Sequence, residues 1–410
     1  MKAARPYPIV TITPKGERAI VDGHPWVYEG EVVSVSGTPE DGGLVDVVSK
    51  KGSWLGCGFC NSASKIRVRL VTRNANDDPA GDAFWERRLR YAWDYRKTVM
   101  GEADSRCCRI IFGEADGFPG LTVDRFERVL VAQVLSLGME RIKERVLPLL
   151  VRILREDGQV IRGVYERNDA ALRTLEGMAQ GKGWLVLPGE AAPDGTAEDI
   201  TENGIRYTVD FENGQKTGFF LDQKYNRQAV GRLCRGARVL DCFTHTGSFA
   251  LNAGICGAEH VIGVDASELG VAQARENAAL NGLEDRVEFL CADVFDLLPQ
   301  LEQQGEQFDV VILDPPAFTK SRSSVKKAVK GYREINLRAM KLVRDGGFLA
   351  TCSCSHFMTP ALFCQMLREA AADAAVSLRQ IADRRQAPDH PILWGVPETE
   401  YLKFYLFQVI

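Results

Sequence analysis

From about residue 205 onward, apolar runs of strand length alternate with helical segments, a pattern that implies a parallel sheet covered by helices. The runs cover 238–243, 261–265, 287–293, 308–314 and 347–352, and a last one, 401–409, closes the chain. Near the C-terminal end of each of the first four stands a carboxylate: Asp241, Asp265, Asp293 and Asp314. Parallel strands end along one edge, which is where open α/β sheets collect their ligands. Aspartate is also a common turn and cap residue, and any one of the four taken alone reads as a cap. Four in register point to one acidic crevice.

The turn after the first run, DCFTHTGSF (241–249), places Phe243, Thr244 and Gly247 in that crevice. Gly247 stands just before a helix start and lets the backbone approach a ligand closely. The turn is not the G-x-G-x-x-G of a dinucleotide site, so a pyrophosphate would be poorly held. Asp265 is placed to accept two ribose hydroxyls. Asp293, with Val294 and Phe295, suits an adenine, the carboxylate toward the exocyclic amine and apolar groups on the ring. A nucleoside without phosphates fits best, and S-adenosylmethionine fits better than NAD. The helix between the second and third runs opens on Ser267 as N-cap and stops at Asn281-Gly282.

The rest of the chain reads differently. Residues 1–73 are short strands with turn residues, a small β-barrel-type module. A polar linker, NANDDPAGD (74–82), leads to a central α+β segment with helices expected near 84–99 and 139–154. Residues 188–204, rich in Gly, Pro and acids, mark a further boundary. The expected domains are therefore 1–73, 78–190 and 200–410. Apolar residues at 45% and charged ones at 26% over 410 residues are the mix of an ordinary globular protein. With no apolar run of membrane length and no signal-like start, the expectation is a cytoplasmic protein with no membrane partner. The 11 cysteines form no disulfide framework, and Cys57-x-x-Cys60 has no second pair at finger spacing, so no metal is expected.

A net charge of −4 does not announce a nucleic-acid binder, but its distribution is uneven. Residues 319–338 carry Lys320, Arg322, Lys326, Lys327, Lys330, Arg333 and Arg338 against Glu334 as the single acid. A second cluster runs through Lys65, Arg67, Arg69 and Arg73. A solvated helix face explains such runs about as well as RNA binding does.

The turn DCFTHTGSF, GVDAS (263–267), CADVF (291–295) and LDPPAF (313–318) resemble the motifs of class I S-adenosylmethionine-dependent methyltransferases. FFLDQKYNR (219–227), DPPAF, KGYREIN (330–336), TCSCSHFMT (351–359) and DHP (389–391) resemble more closely the bacterial 23S rRNA cytosine-C5 methyltransferases. Those proteins begin with a PUA domain, and residues 15–73, with GHPWVYEG (23–30), look like one. The resemblance runs over nearly the whole chain and is weakest across about 100–200. It implies a Rossmann-like sheet of seven strands, the last antiparallel, with an N-terminal PUA-like barrel and a central α+β domain. It also implies large-subunit ribosomal RNA as partner, and suggests a homodimer that no patch in the sequence demands.

Cytosine C5 is too weak a nucleophile to attack a methyl sulfonium unaided; a thiolate added at C6 makes it enamine-like. The resemblance places that thiolate on Cys354, with Cys352 two residues away as a buried neighbour or second thiol. Asp314, in the rigid DPPAF turn, is the second catalytic candidate, holding the polar edge of the base. Ala317 stands where amine methyltransferases carry an aromatic, which counts modestly against N-methylation. No cysteine in the turn serves product release; Glu398 is a candidate base for the C5 proton, and solvent the alternative. The flipped base needs RNA contacts around it, and Lys320, Arg322, Lys326, Lys327 and Lys330 directly follow the turn. Two other readings stay open: a base N-methyltransferase using DPPAF without a thiol, and a non-catalytic RNA-binding assembly factor.

Overall fold

The computed structural model describes residues 5–319 and 321–410. Lys320 therefore lies outside the described residues. The chain divides into two compact units. The first comprises residues 1–200, 208–221 and 388–399, and the second 201–207, 222–387 and 400–410. Among the described residues no helix is long and apolar enough to cross a membrane.

The first unit holds two sheets. One has six strands in the order Trp26–Tyr28, Ile66–Thr72, Trp54–Cys60, Leu44–Ser49, Ile9–Ile12, Val32–Ser36. Its inward positions (Val10, Ile12, Val27, Val45, Val47, Val68, Leu70) form one apolar cluster, the period of two that the sequence displays. The other has five strands in the order Gly181–Leu185, Gly163–Asn168, Val129–Val134, Leu121–Phe126, Cys107–Phe112. The helices expected near 84–99 and 139–154 run as Asp82–Asp104 and Leu137–Glu156.

Ion pairs hold this unit internally. Arg96, fully buried, grips both oxygens of Asp116 and donates to the Asp389 carbonyl. Asp389 is buried, which alone would raise its pKa. His390, bound to one oxygen at 2.9 Å, together with the Arg109 amide at 2.8 Å on the other, holds it below the usual carboxylate range. The DHP run is thus a buried clasp within this unit.

The second unit is built on a seven-stranded sheet. Its strands are β1 (Arg238–Cys242), β2 (His260–Asp265), β3 (Val287–Cys291), β4 (Phe308–Leu313), β5 (Val343–Ser353), β6 (Leu378–Arg384) and β7 (Lys403–Val409), in the order β3-β2-β1-β4-β5-β7-β6. β7 is antiparallel to both of its neighbours. The helices that follow β1 are α1 (Ser248–Ile255), α2 (Glu268–Leu280), α3 (Val294–Gln303), α4 (Val325–Leu342) and α5 (Pro360–Ala374). Leu240, Cys242, Ile262, Val264, Val311 and Leu313 face one way and pack with side chains of α3, α4 and α5. Asp241, between Leu240 and Cys242, points to the opposite face, where the Ala250 amide of α1 donates to it. Ser267 caps α2 by accepting from the Gly270 amide at 3.1 Å.

Arg227 and Glu202 form a buried bidentate pair at 2.8 and 3.1 Å, with Arg227 also donating to Ser248 at 3.3 Å. Removing one partner leaves an uncompensated buried charge. Arg227→Met should therefore lower stability by about 3–5 kcal/mol in urea unfolding. Breaking the exposed Arg333–Asp373 pair with Arg333→Ala should cost less than about 1 kcal/mol. Equal losses would remove this pair from its structural role.

Candidate active site at the strand tips

Parallel register sets the geometry. Cys242 of β1 pairs with Val264 of β2 and Leu313 of β4, Leu313 with Thr351 of β5, and Asp265 with Cys291 of β3. Asp241, Asp265, Asp293, Asp314 and Cys354 therefore all stand at the same edge of one sheet.

The turn leaving β1 is tightly wound. Phe243, His245 and Gly247 all have positive φ (65°, 54° and 86°), a conformation that side chains other than glycine's rarely adopt. Backbone bonds hold it: the Thr244 amide donates to the Val264 carbonyl and the His245 amide to Asp265, both at 2.9 Å. The other oxygen of Asp265 accepts from the Ser267 amide at 2.9 Å. A Cβ on Gly247 would come within 2.8 Å of the Phe289 ring. The glycine is required by both conformation and space.

Asp241 is fully buried. One oxygen accepts from the Thr244 hydroxyl at 2.5 Å and the Ala250 amide at 2.9 Å. The other is buried with no hydrogen-bond partner among the described residues, an arrangement that costs free energy unless a ligand donor completes it. Burial, with the Asp314 and Asp265 carboxyls behind it, pushes Asp241 up to about 7. Burial and then Asp222 push Asp314 up to about 6, against a 3.0 Å hydrogen bond from Gln223. Gln223 is itself oriented by Asn226, whose amide donates to it at 2.7 Å. Sequence reading passed over this pair inside FFLDQKYNR, since neither residue type is diagnostic alone.

Asp293 caps α3, accepting from the Phe295 amide at 2.8 Å, and is exposed. Val294, expected against an adenine, is a core residue packed with Leu298. The neighbouring Phe295 is exposed and stacks toward Phe318 at 5.8 Å. Phe318 also meets Phe243 at 6.4 Å and Tyr332 at 4.5 Å, so four segments share one aromatic cluster.

Beyond β5 the two cysteines separate. Cys352 is fully buried; burial and then Asp314 hold its thiol well above the ordinary value. Cys354, one residue past the strand, is half-buried, its sulfur 3.9 Å from the Pro315 carbonyl of the DPPAF turn. The buried Tyr332 hydroxyl is bonded to Ser355 at 2.9 Å and Ser353 at 3.1 Å, gripping the chain on both sides of Cys354. Tyr332 sits in KGYREIN, but its role follows only from the packing of α4. Glu398 belongs to the first unit, where it lies 3.4 Å from His24.

The basic run sorts by partner. Arg333 pairs with Asp373, and Arg338 with Glu302 and Glu334. Arg322, Lys326, Lys327 and Lys330 are exposed and carry no ion pair among the described residues. In the first unit, Arg67 pairs with Glu29, and Arg69 with Glu114 and Glu176 while lying over the Trp26 ring. Lys65 and Arg73 are exposed.

A buried carboxyl oxygen with no hydrogen-bond partner among the described residues, a turn that is not G-x-G-x-x-G, and carboxyls at successive strand tips fit a cationic nucleoside. Comparison with known proteins agrees. Residues 183–408 match the family described as S-adenosylmethionine-dependent methyltransferase, and residues 10–73 match PUA-like domain. The chain is 37% identical over 405 residues to the Klebsiella pneumoniae (strain 342) protein named ribosomal RNA large subunit methyltransferase I, covering 98% of this chain and 99% of that one. The protein of the same name from Aeromonas salmonicida (strain A449) is 39% identical over 388 residues, 94% and 96% of the two chains. The chain belongs to this methyltransferase family.

Among solved structures, a methyltransferase, provisionally so described and complexed with SAH, matches with a TM-score of 0.81 at 19% identity, covering 98% of this chain and 99% of that one. A Streptococcus mutans protein with a similar provisional description matches with a TM-score of 0.79 at 19% identity, over 98% and 99% of the chains. At such identity these two speak for the fold. S-adenosylmethionine is the methyl donor of the family.

The raised carboxyls make a test. Both take up protons on folding, so they weaken the ligand-free protein as pH rises from about 4 to 7. A cation bound beside them favours the ionised form. S-adenosylmethionine binding between about pH 5.5 and 7.5 should release protons and tighten with pH. Calorimetry in buffers of different ionisation heat reads this directly. Asp241→Asn should flatten the dependence, and an unchanged slope would remove Asp241 from the site.

Proposed function

We propose that this methyltransferase modifies C5 of a cytosine in large-subunit ribosomal RNA, with Cys354 as the covalent nucleophile. The observation that carries the reading is the half-buried Cys354 sulfur beside the DPPAF turn, at the same sheet edge as the acids, while Cys352 is sealed. The relatives' shared name supplies the class of RNA.

In this reading Phe243, Thr244, Gly247 and Asp241 would hold the methionine end of S-adenosylmethionine. Asp265 would hold the ribose, and Asp293, Phe295 and the backbone at Val294 the adenine. Bound there, S-adenosylmethionine supplies an electrophilic methyl group to C5. The Cys354 thiolate adds to C6 of the flipped cytosine, forming an S–C6 bond and moving the C5–C6 electron pair onto C5. Asp314, titrating near neutrality, shares a proton with N3 as that charge develops. After C5 is methylated, its proton leaves to solvent, the electron pair restores C5=C6, and the S–C6 bond breaks to return the thiolate.

Arg322, Lys326, Lys327 and Lys330, with Lys320 by its place in the sequence, grip phosphates around the flipped base. The module over 1–73 adds a shape-reading contact with structured RNA, the segment 78–190 is the central domain, and 200–410 is the catalytic domain.

Cys354→Ala should bind S-adenosylmethionine and RNA as wild type does and transfer no methyl. RNA carrying 5-fluorocytidine at the target should form a covalent adduct with wild type and none with Cys354→Ala. Methyl transfer by the variant would eliminate the thiol mechanism and favour amine methylation. Separately, alanine at Lys326, Lys327 or Lys330 should each lower the slope of log affinity against log salt by about 1. An unchanged slope would return these lysines to a solvated face.

A further inference from the structure

Lys403 opens β7 directly opposite Ser353 of β5. It is a lysine in the interior, only 3% exposed. Its Nζ donates to the Ser355 carbonyl and to the Tyr401 carbonyl, each at 2.7 Å. No carboxylate pairs with it among the described residues: Glu400, its near neighbour, is held by Arg385 at 2.8 Å. An ammonium buried without a counter-ion is costly, and two carbonyls offset that only in part. The unspent charge sits on the peptide that follows Cys354.

We propose that Lys403 is a positioning residue for methyl transfer, which both fixes the chain end bearing Cys354 and favours the thiolate of that cysteine. The proposal rests on Cys354 being the nucleophile. Several ionisable groups lie near Cys354 among the described residues. Tyr332 comes from α4, with a phenol that burial pushes up to about 12, so it stays neutral. Cys352 lies along the same strand, neutral as well. Asp314 faces Cys352 from the turn after β4, and His356, two residues past Cys354, is exposed and packs on Phe357. Around Lys403 stand Arg385 and Glu400, which are paired with each other. Burial lowers Lys403 to about 8, which leaves it mostly charged at neutral pH. Lys403, tied by a hydrogen bond to the residue after Cys354, contributes a favourable field at the Cys354 sulfur.

The test is alkylation of Cys354 by iodoacetamide across pH, followed peptide by peptide in the full-length protein by mass spectrometry. Wild type should show a midpoint below the ordinary thiol value of about 8.5. Lys403→Met should move the midpoint up by about one unit, an alkylation rate about tenfold lower near pH 7, and Lys403→Arg should restore it. In turnover, Lys403→Met should lose about tenfold in kcat near pH 7 with KM for S-adenosylmethionine unchanged, and regain most of it at high pH, where Cys354 ionises unaided. A loss of strand order alone would not recover with pH. A wild-type midpoint at or above about 8.5, or one that Lys403→Met leaves in place, overturns the proposal. The wild-type profile decides even if Lys403→Met does not fold. Alkylation needs no turnover, so methyl transfer by Cys354→Ala would defeat the nucleophile assignment separately, whatever the profiles show.

Discussion

The arrangement at the second unit's sheet edge depends on carboxyl groups that the fold crowds together, so that burial and their neighbours' charge raise Asp241 and Asp314. Asp241, Asp265 and Asp314 feel one another closely enough for the latter two to raise the first. Such crowding is tolerable because each is tied by donors from a different element: Asp241 by Thr244 and Ala250, Asp265 by the His245 and Ser267 amides, Asp314 by Gln223. Those bonds shape the turn after β1 and leave one oxygen of Asp241 with capacity to spare. In the proposed reading, the stability given up there becomes affinity for a cation.

The same economy governs the other side of the edge. A cysteine held deep in the sheet is inert, as Cys352 is, because burial disfavours its thiolate. Cys354 escapes because β5 ends one residue before it, and an exposed chain end would ordinarily be mobile. Tyr332 bonding to Ser353 and Ser355, and Lys403 to the Ser355 carbonyl, give that end a fixed course. Exposure and order are thus supplied by different elements, the strand ending and its neighbours' side chains. The aromatic cluster of Phe243, Phe295, Phe318 and Tyr332 joins the turn after β1, the start of α3, the DPPAF turn and α4.

Charge runs are poor guides until partners are assigned. Of the cations in 319–338, Arg333 and Arg338 close onto acids of neighbouring helices, while Arg322, Lys326, Lys327 and Lys330 remain exposed. In the N-terminal sheet, Arg69 sits between Glu114 and Glu176 over a tryptophan, a contact within its own unit. Equal densities of charge along the chain thus serve different ends, because pairing depends on residues tens of positions away.

Much of this protein was legible from residue order. Strand and helix periodicity located β1 to β5 and β7, because both faces of a parallel sheet must be apolar and the side-chain period follows. Ser267 declared its cap, and the carboxylates fell at successive tips because parallel strands end along one edge. What periodicity could not supply was which group touches which. That Val294 belongs to the core and Phe295 to the surface, that Gln223 holds Asp314, that Tyr332 and Lys403 flank Cys354, and which arginines are already paired, were all decided by tertiary packing. Each is a contact across many residues of chain. Polar side chains take their meaning from such partners, and a lone lysine or glutamine in a sequence carries no mark of where its hydrogen bonds will go.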